Sequence, residues 1–145
     1  MFNIALTSDW PSTPNTGILE FMRRRRAHPR IAWMPPCTKT GREIFPAAQA
    51  RFAAHGFPYL EFCDIDEQPD ETQLANLDHY DIIYLAGGDP IAFRQNILRT
   101  GCAQLLRQCL DAGRLIVAAS GGSMQLTPNI SLYRLLTTSL DDVIT

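Results

Sequence analysis

One stretch limits the folds open to this chain more than any other: Leu115-Ile116-Val117-Ala118-Ala119-Ser120-Gly121-Gly122-Ser123-Met124. A short apolar run ends in small residues, and the residues after Ser120 can start a helix. The pattern predicts a buried strand, Leu115–Ala119, running into a tight strand-to-helix turn. In a nucleophile elbow such a turn lifts a serine Oγ above the sheet, and the helix N-terminus aims backbone N–H groups at the same point. The usual pattern is G-x-S-x-G. Here Ala118 stands in place of the first glycine, the smallest replacement available. Small residues also close ordinary βα turns, so this stretch alone fits either a catalytic elbow or a plain turn.

The rest of the chain reads as alternating strands and helices. Strands are expected at Phe2–Ser8, Ile31–Met34, Tyr59–Cys63 and Ile82–Ala86. Helices are expected at Ile18–Ala27, Arg42–His55, Glu71–Leu77, Ile91–Arg99 and Cys102–Ala112, and helix or turn resumes from Ser123. Asp9–Gly17 is rich in Pro, Ser, Thr and Asn and reads as a loop. Phe45, Ala48 and Phe52 share one face of the second helix, Gly56 stops it, and Asp70 can cap the third. This alternation implies βαβ units with right-handed crossovers, hence an α/β fold: a parallel sheet with helices on both faces. Chemistry in such sheets sits beyond the carboxyl ends of the strands. Thr7, Ser8, Gly87, Gly88, Asp89 and Ser120 all fall there.

A second segment, Asp81-Ile82-Ile83-Tyr84-Leu85-Ala86-Gly87-Gly88-Asp89-Pro90, is another apolar strand running into paired glycines. Together the two segments resemble the peptidase E (aspartyl dipeptidase) family of serine peptidases, which also includes cyanophycinase-like enzymes. Ala86-Gly87-Gly88-Asp89 is similar to the family's G-G-G-N-T-F motif. Ala118-Ala119-Ser120-Gly121-Gly122-Ser123 is similar to G-x-S-A-G-A, and Leu126-Thr127-Pro128-Asn129-Ile130 to L-G-P-S-I. The opening Ile4-Ala5-Leu6-Thr7-Ser8-Asp9 also fits. The resemblance implies a class I glutamine amidotransferase-like fold, a flavodoxin-like three-layer sandwich. It implies short peptides as substrates, with Asp-X dipeptides among them, and no cofactor or metal.

Ser120 is the candidate nucleophile, a weak one unless a base takes its proton. The N–H of Gly121, the residue after it, is the natural oxyanion donor. The resemblance makes Gly88 the second donor; a tight turn explains Gly87 and Gly88 equally well. Ser8, Gly87 and Asp89 are expected to line the cleft. Ser123 is an alternative nucleophile, but a residue that caps or opens the following helix fits it better. Trp10 and Trp33 lie near strand ends, where core packing is the default for tryptophan.

No base accompanies the serine. The three histidines, His28, His55 and His79, each precede a strand and so belong at the amino edge of the sheet. An extended segment from His79 to Ala86 spans roughly 20 Å, whereas a catalytic hydrogen bond needs about 3 Å. In the family the histidine follows the elbow, with the acid between the two. Asp141 and Asp142 are the only acidic residues after Ser120, and a solvated tail explains them. The expectation is a single domain over residues 1–145, incomplete at its C-terminus. An uncovered sheet edge would result, open to self-association. The alternative to a serine peptidase is thus a catalytically incomplete pseudoenzyme or remnant acting as a binding module.

Size and composition agree with one soluble domain. The 145 residues are 46% hydrophobic and 19% charged, enough for a real core. A net charge of -2 argues against general nucleic-acid binding. The run Arg23–Arg26 reads as the solvated end of a helix, where cations suit the dipole. No apolar run approaches the roughly 20 residues that span a bilayer. The start lacks a signal-peptide pattern. Cys37, Cys63, Cys102 and Cys109 form no C-x-x-C pair and read as buried, reduced thiols of a cytoplasmic protein. Serine at the elbow disfavours a cysteine nucleophile.

Overall fold

Five parallel strands share one sheet in the computed structural model, which describes residues 3–8, 16–24, 26–35, 41–66, 68–130 and 133. The strands are β1 (Ile4–Thr7), β2 (Ile31–Met34), β3 (Leu60–Phe62), β4 (Ile82–Leu85) and β5 (Leu115–Ala119). Their order across the sheet is β1-β5-β4-β2-β3. The strand carrying Ser120 therefore lies between β1 and β4, and all three end on the same side. The register Leu6↔Ala118↔Leu85 sets these ends level.

Strand side chains alternate between faces, and each face has its own core. Ala32, Met34, Ile83, Leu85, Ile116 and Ala118 point to one side. There they meet α3 (Glu71–Ala75), the 3-10 turn Leu77–His79, α4 (Pro90–Arg99) and α5 (Cys102–Asp111). Ile31, Trp33, Ile82, Tyr84, Leu115, Val117 and Ala119 point to the other, under α1 (Thr16–Arg23) and α2 (Gly41–Ala54). β2, β4 and β5 are buried along their whole length. That is why these three read as unbroken apolar runs rather than alternating ones. The expected α/β sheet with helices on both faces is the observed architecture.

Local chemistry sets the helix ends. Asp70 caps α3 by accepting from the Gln73 N–H at 3.1 Å, as expected. Asp89 caps α4, with Pro90 in the first turn, a position that suits proline's missing N–H. Gly56, at φ 85°, ends α2 in the left-handed region that glycine adopts without strain. Most element ends differ from the expected ones by a residue or two, and α1 and the last helix differ in ways that bear on the turns they make. α1 begins at Thr16 and stops at Arg23, so Gly17 belongs to it and Ala27 does not. The Arg24 N–H turns back to Phe21 O at 3.3 Å and closes the helix early. The final short helix, α6 (Gly121–Met124), starts at Gly121 rather than Ser123. Trp10, Cys37, Asp141, Asp142 and most of the Asp9–Gly17 loop lie outside the described residues.

The arginine run is absorbed locally. The Arg23 guanidinium donates to His55 O and sits 5.0 Å from the Phe57 ring centre. Arg24 stacks on Phe21, and Arg26 pairs with Asp81 at 3.2 Å. Arg25 lies outside the described residues. The three described arginines of the run thus close and solvate a helix end. No helix among the described residues is long and apolar enough to cross a membrane.

Candidate active site

Ser120 has φ 45° and ψ −118° and is the only non-glycine residue at positive φ among those described. A left-handed φ costs a side chain about 1–3 kcal/mol and persists only where its surroundings enforce it. The restraints here are visible. The Ser120 N–H donates to Thr7 O at 2.8 Å, and its carbonyl accepts from the Ser123 N–H at 2.9 Å. β1 thus holds one side of the residue and α6 the other.

The turn closes only with glycine beside it. A Cβ on Gly121 would lie 2.3 Å from Gly88 O, and one on Gly122 would lie 2.4 Å from Leu85 O. A Cβ on Gly87 would come within 3.2 Å of the Ser120 Cβ. The two glycine pairs, one after β4 and one after β5, therefore lie against each other because neither carries a side chain. Gly88 itself has φ 150°. No acceptor takes up the Gly88 or Gly121 N–H among the described residues. Two side chains lock α6 in place. Ser123 Oγ donates to Ala118 O at 2.7 Å and Thr7 O at 3.2 Å. Buried Gln125 Nε2 donates to Gly121 O at 2.8 Å and Pro90 O at 3.1 Å. Ser123 thus spends its hydroxyl on backbone carbonyls and fastens the turn.

Above this turn opens a cleft of about 440 Å³. Ser8, Gly87, Gly88 and Ser120 line it, as do the aromatic rings of Trp33 and Tyr84. Asp89 is occupied otherwise: its Oδ1 accepts from the Ile91 and Ala92 N–H groups at 2.8 and 3.2 Å. It is a helix cap and is not part of the cleft wall. Gly121 lies buried behind Gly88.

Sequence reasoning missed the wall that α2 contributes through Ile44, Ala48, Arg51 and Phe52. Its signal was the spacing Ile44, Ala48, Phe52, one stripe of the helix that covers β2 and β4 near their carboxyl ends. Trp33 is core and cleft at once, only 3% exposed yet part of the wall. Tyr84, level with it in the register, could have been found in the same way.

The three histidines are where the strand pattern put them. His28 faces Gly56 O at 3.2 Å. His55 follows the end of α2, and His79 closes the 3-10 turn before β4. All three lie at the amino ends of the strands, opposite Ser120. Buried Cys63, Cys102 and Cys109 lie off the cleft. Burial is the main cause that raises each thiol above its ordinary 9.0, so they stay protonated and unreactive. Among the described residues no cluster of His, Cys, Asp or Glu could hold a metal ion.

A model of peptidase family S51 matches residues 7–142. An uncharacterized peptidase of Pasteurella multocida (strain Pm70) is 38% identical over 106 residues, 72% of this chain and 51% of its own length. The chain thus spans about half the length of this curated relative. The crystal structure of a candidate peptidase E protein from Listeria monocytogenes EGD-e superposes with a TM-score of 0.75 at 22% identity. That match covers 99% of this chain and 70% of the other, and it shows a shared class I glutamine amidotransferase-like fold.

Proposed function

Because this chain belongs to peptidase family S51, we propose that it carries the nucleophile half of a serine peptidase for short peptides, Asp-X dipeptides among them. The observation that carries this reading is the strained Ser120, held at φ 45° beside Gly88 and open to the cleft. Ser120 Oγ attacks the scissile carbonyl. The N–H groups of Gly88 and Gly121, unclaimed by other described residues, receive the oxyanion. Such preorganised donors supply about 2.7–4 kcal/mol each in a dry site. Trp33 and Tyr84 offer apolar walls to a peptide side chain.

The proton of Ser120 needs a base, and His28, His55 and His79 all lie at the far end of the strands. A histidine in the remaining length of the longer relatives would take this role, first as base and then as acid to the leaving amine. The test is hydrolysis of Asp-X dipeptides. A version extended to the length of the relatives should turn them over, and Ser120→Ala should abolish this. Undiminished activity in that variant would overturn the assignment. The 145-residue chain alone should show little or no turnover. Saturable hydrolysis by it, lost on Ser120→Ala, would mean that another group serves as base.

The distance of every histidine from Ser120 favours a second reading: a catalytically incomplete binding module that keeps the cleft. Peptide binding by the 145-residue chain without turnover, unrelieved by extension, would select it.

A further inference from the structure

The cleft beside Ser120 carries charge of one sign. Among its described lining residues, Arg51 alone is charged. Arg51 stands in the last turn of α2, where a cation suits the helix dipole. Its side chain nonetheless lines the cleft. Arg23, Arg26, Arg30, Arg42, Arg94 and Arg99 each hold a backbone carbonyl or a carboxylate. No hydrogen bond or ion pair joins Arg51 to another described residue.

α2 leads from the carboxyl ends of the strands, where Ser120 sits, back to their amino ends, where His55 follows it. Ile44, Ala48, Arg51 and Phe52 form one stripe along it and face the cleft. The two-turn step from Ile44 to Arg51 covers about 10 Å. Helical side chains lean toward the helix N-terminus, so Arg51 leans toward the Ser120 end. The wall between them is apolar. Ile44 is 40% exposed, and Trp33 and Phe52 close the floor behind it. Apolar walls with a few polar groups at fixed points are how small-molecule sites set orientation. An exposed isoleucine and a cation on one stripe suit a ligand that joins an apolar group to a carboxylate.

On the reading of this cleft as a peptide site, we propose that Arg51 binds the C-terminal carboxylate of a short peptide, whose last side chain lies against Ile44 and Trp33. A guanidinium takes a carboxylate through two parallel N–H donors. The terminal carboxylate fits this wall better than the side chain of an N-terminal Asp. In that residue the ammonium lies close to its own carboxylate, where Arg51 repels it. No Asp or Glu among the described lining residues stands ready to hold the ammonium. A terminal carboxylate is at least one residue further from the ammonium, and its apolar side chain branches from the same Cα. Arg51 therefore favours free peptide ends over internal segments. It touches the peptide on the leaving-amine side, away from the reacting carbonyl, and so sets specificity.

Calorimetric titration of the 145-residue chain with Ala-Leu and with Ala-Leu amide tests this. The free acid should bind at least about tenfold more tightly than the amide, the scale of a hydrogen bond to a charged group. Arg51→Gln should erase that preference, acid and amide then binding alike. Arg51→Lys should restore part of it, as a point charge without the planar fork. Both substitutions fall on exposed helix surface, and circular dichroism should be unchanged. Equal binding of acid and amide would overturn the proposal, as would a preference that survives Arg51→Gln or no binding of Ala-Leu at all. Asp-Leu amide affinity that falls on Arg51→Gln while that of Ala-Leu holds would also overturn it, giving the guanidinium to a side-chain carboxylate. Turnover separates this site from the role of Ser120. In a version extended to the length of the relatives, Arg51→Gln should act on KM, raising it about tenfold, whereas Ser120→Ala removes kcat. If turnover survives Ser120→Ala while the preference for the acid still depends on Arg51, the nucleophile assignment fails and the carboxylate site stands.

Discussion

The two edges of the sheet solve the same problem in opposite ways. β3 is short, and a polar network closes it. Glu61 on β3 pairs with Arg30 at 3.0 Å and accepts from the Tyr80 hydroxyl at 2.8 Å. Gln73 reaches both Tyr80 and the carbonyl of Phe62. Arg42 lies over the Phe62 ring and pairs with buried Asp64 just beyond the strand. β1 carries no charged side chain, only Ile4, Ala5, Leu6 and Thr7, and no side chain among the described residues takes the outward carbonyls of Ile4 and Leu6. Natural sheets blunt their edges with charge or cover. Among the described residues, side chains satisfy the outward carbonyls of β3 and leave those of β1.

That contrast can be broken from the guarded side. Asp64 fastens the chain leaving β3, accepting from the Asp66 and Gln68 N–H groups as well as Arg42. Asp64→Ala orphans these donors in a buried corner and should cost about 2 kcal/mol in urea unfolding. A loss below half that would show that solvent replaces the network easily. The ion pairs themselves add little, because Arg30, Glu61 and Arg42 are largely exposed.

A milder change sharpens the comparison. Gln49→Ala combined with Gln73→Ala uncovers the outward carbonyls of β3 at about 1 kcal/mol for each lost hydrogen bond. The β3 side of the sheet then presents unpaired carbonyls to another strand. Light scattering should show association beyond that of the unaltered protein at the same concentration; scattering equal to that of the unaltered protein would mean that the glutamines do not guard the edge.

Alkaline pH makes the smallest difference and touches only one edge. Cys63 follows β3 directly, and burial is the main cause that lifts its thiol far above the ordinary 9.0. The Tyr80 hydroxyl is raised from 10.0, chiefly by burial as well. In both, the folded state keeps a proton that the unfolded chain releases. Stability is therefore full below pH 9 and falls as pH rises through 9 and 10. β1 carries no titratable side chain. Above pH 9 the unfolding midpoint should drop, and Cys63→Ala should flatten that slope. An unchanged slope in the variant would exclude the thiol as its source.

Much of this was legible in the chain because the signals are local. Ser120 and the glycines flanking the turn announce a strand-to-helix junction, and Asp70 and Asp89 sit where caps belong. Asp89 shows the limit of such reading. Placement after β4 made it a candidate wall of the cleft, yet its carboxylate is consumed by the Ile91 and Ala92 N–H groups. Ser123 met the same fate, its hydroxyl spent on two carbonyls.

The sequence by itself determined the element order, the parallel sheet and the amino-end position of all three histidines. Hydrophobic period and turn chemistry act over a few residues, and chain order with crossover handedness does the rest. Only the tertiary structure decided that β5 runs between β1 and β4. It also decided that α2 walls the cleft and that Gly88 abuts Gly121. These depend on contacts between segments far apart in the chain, where the deciding quantity is how closely two backbones pack.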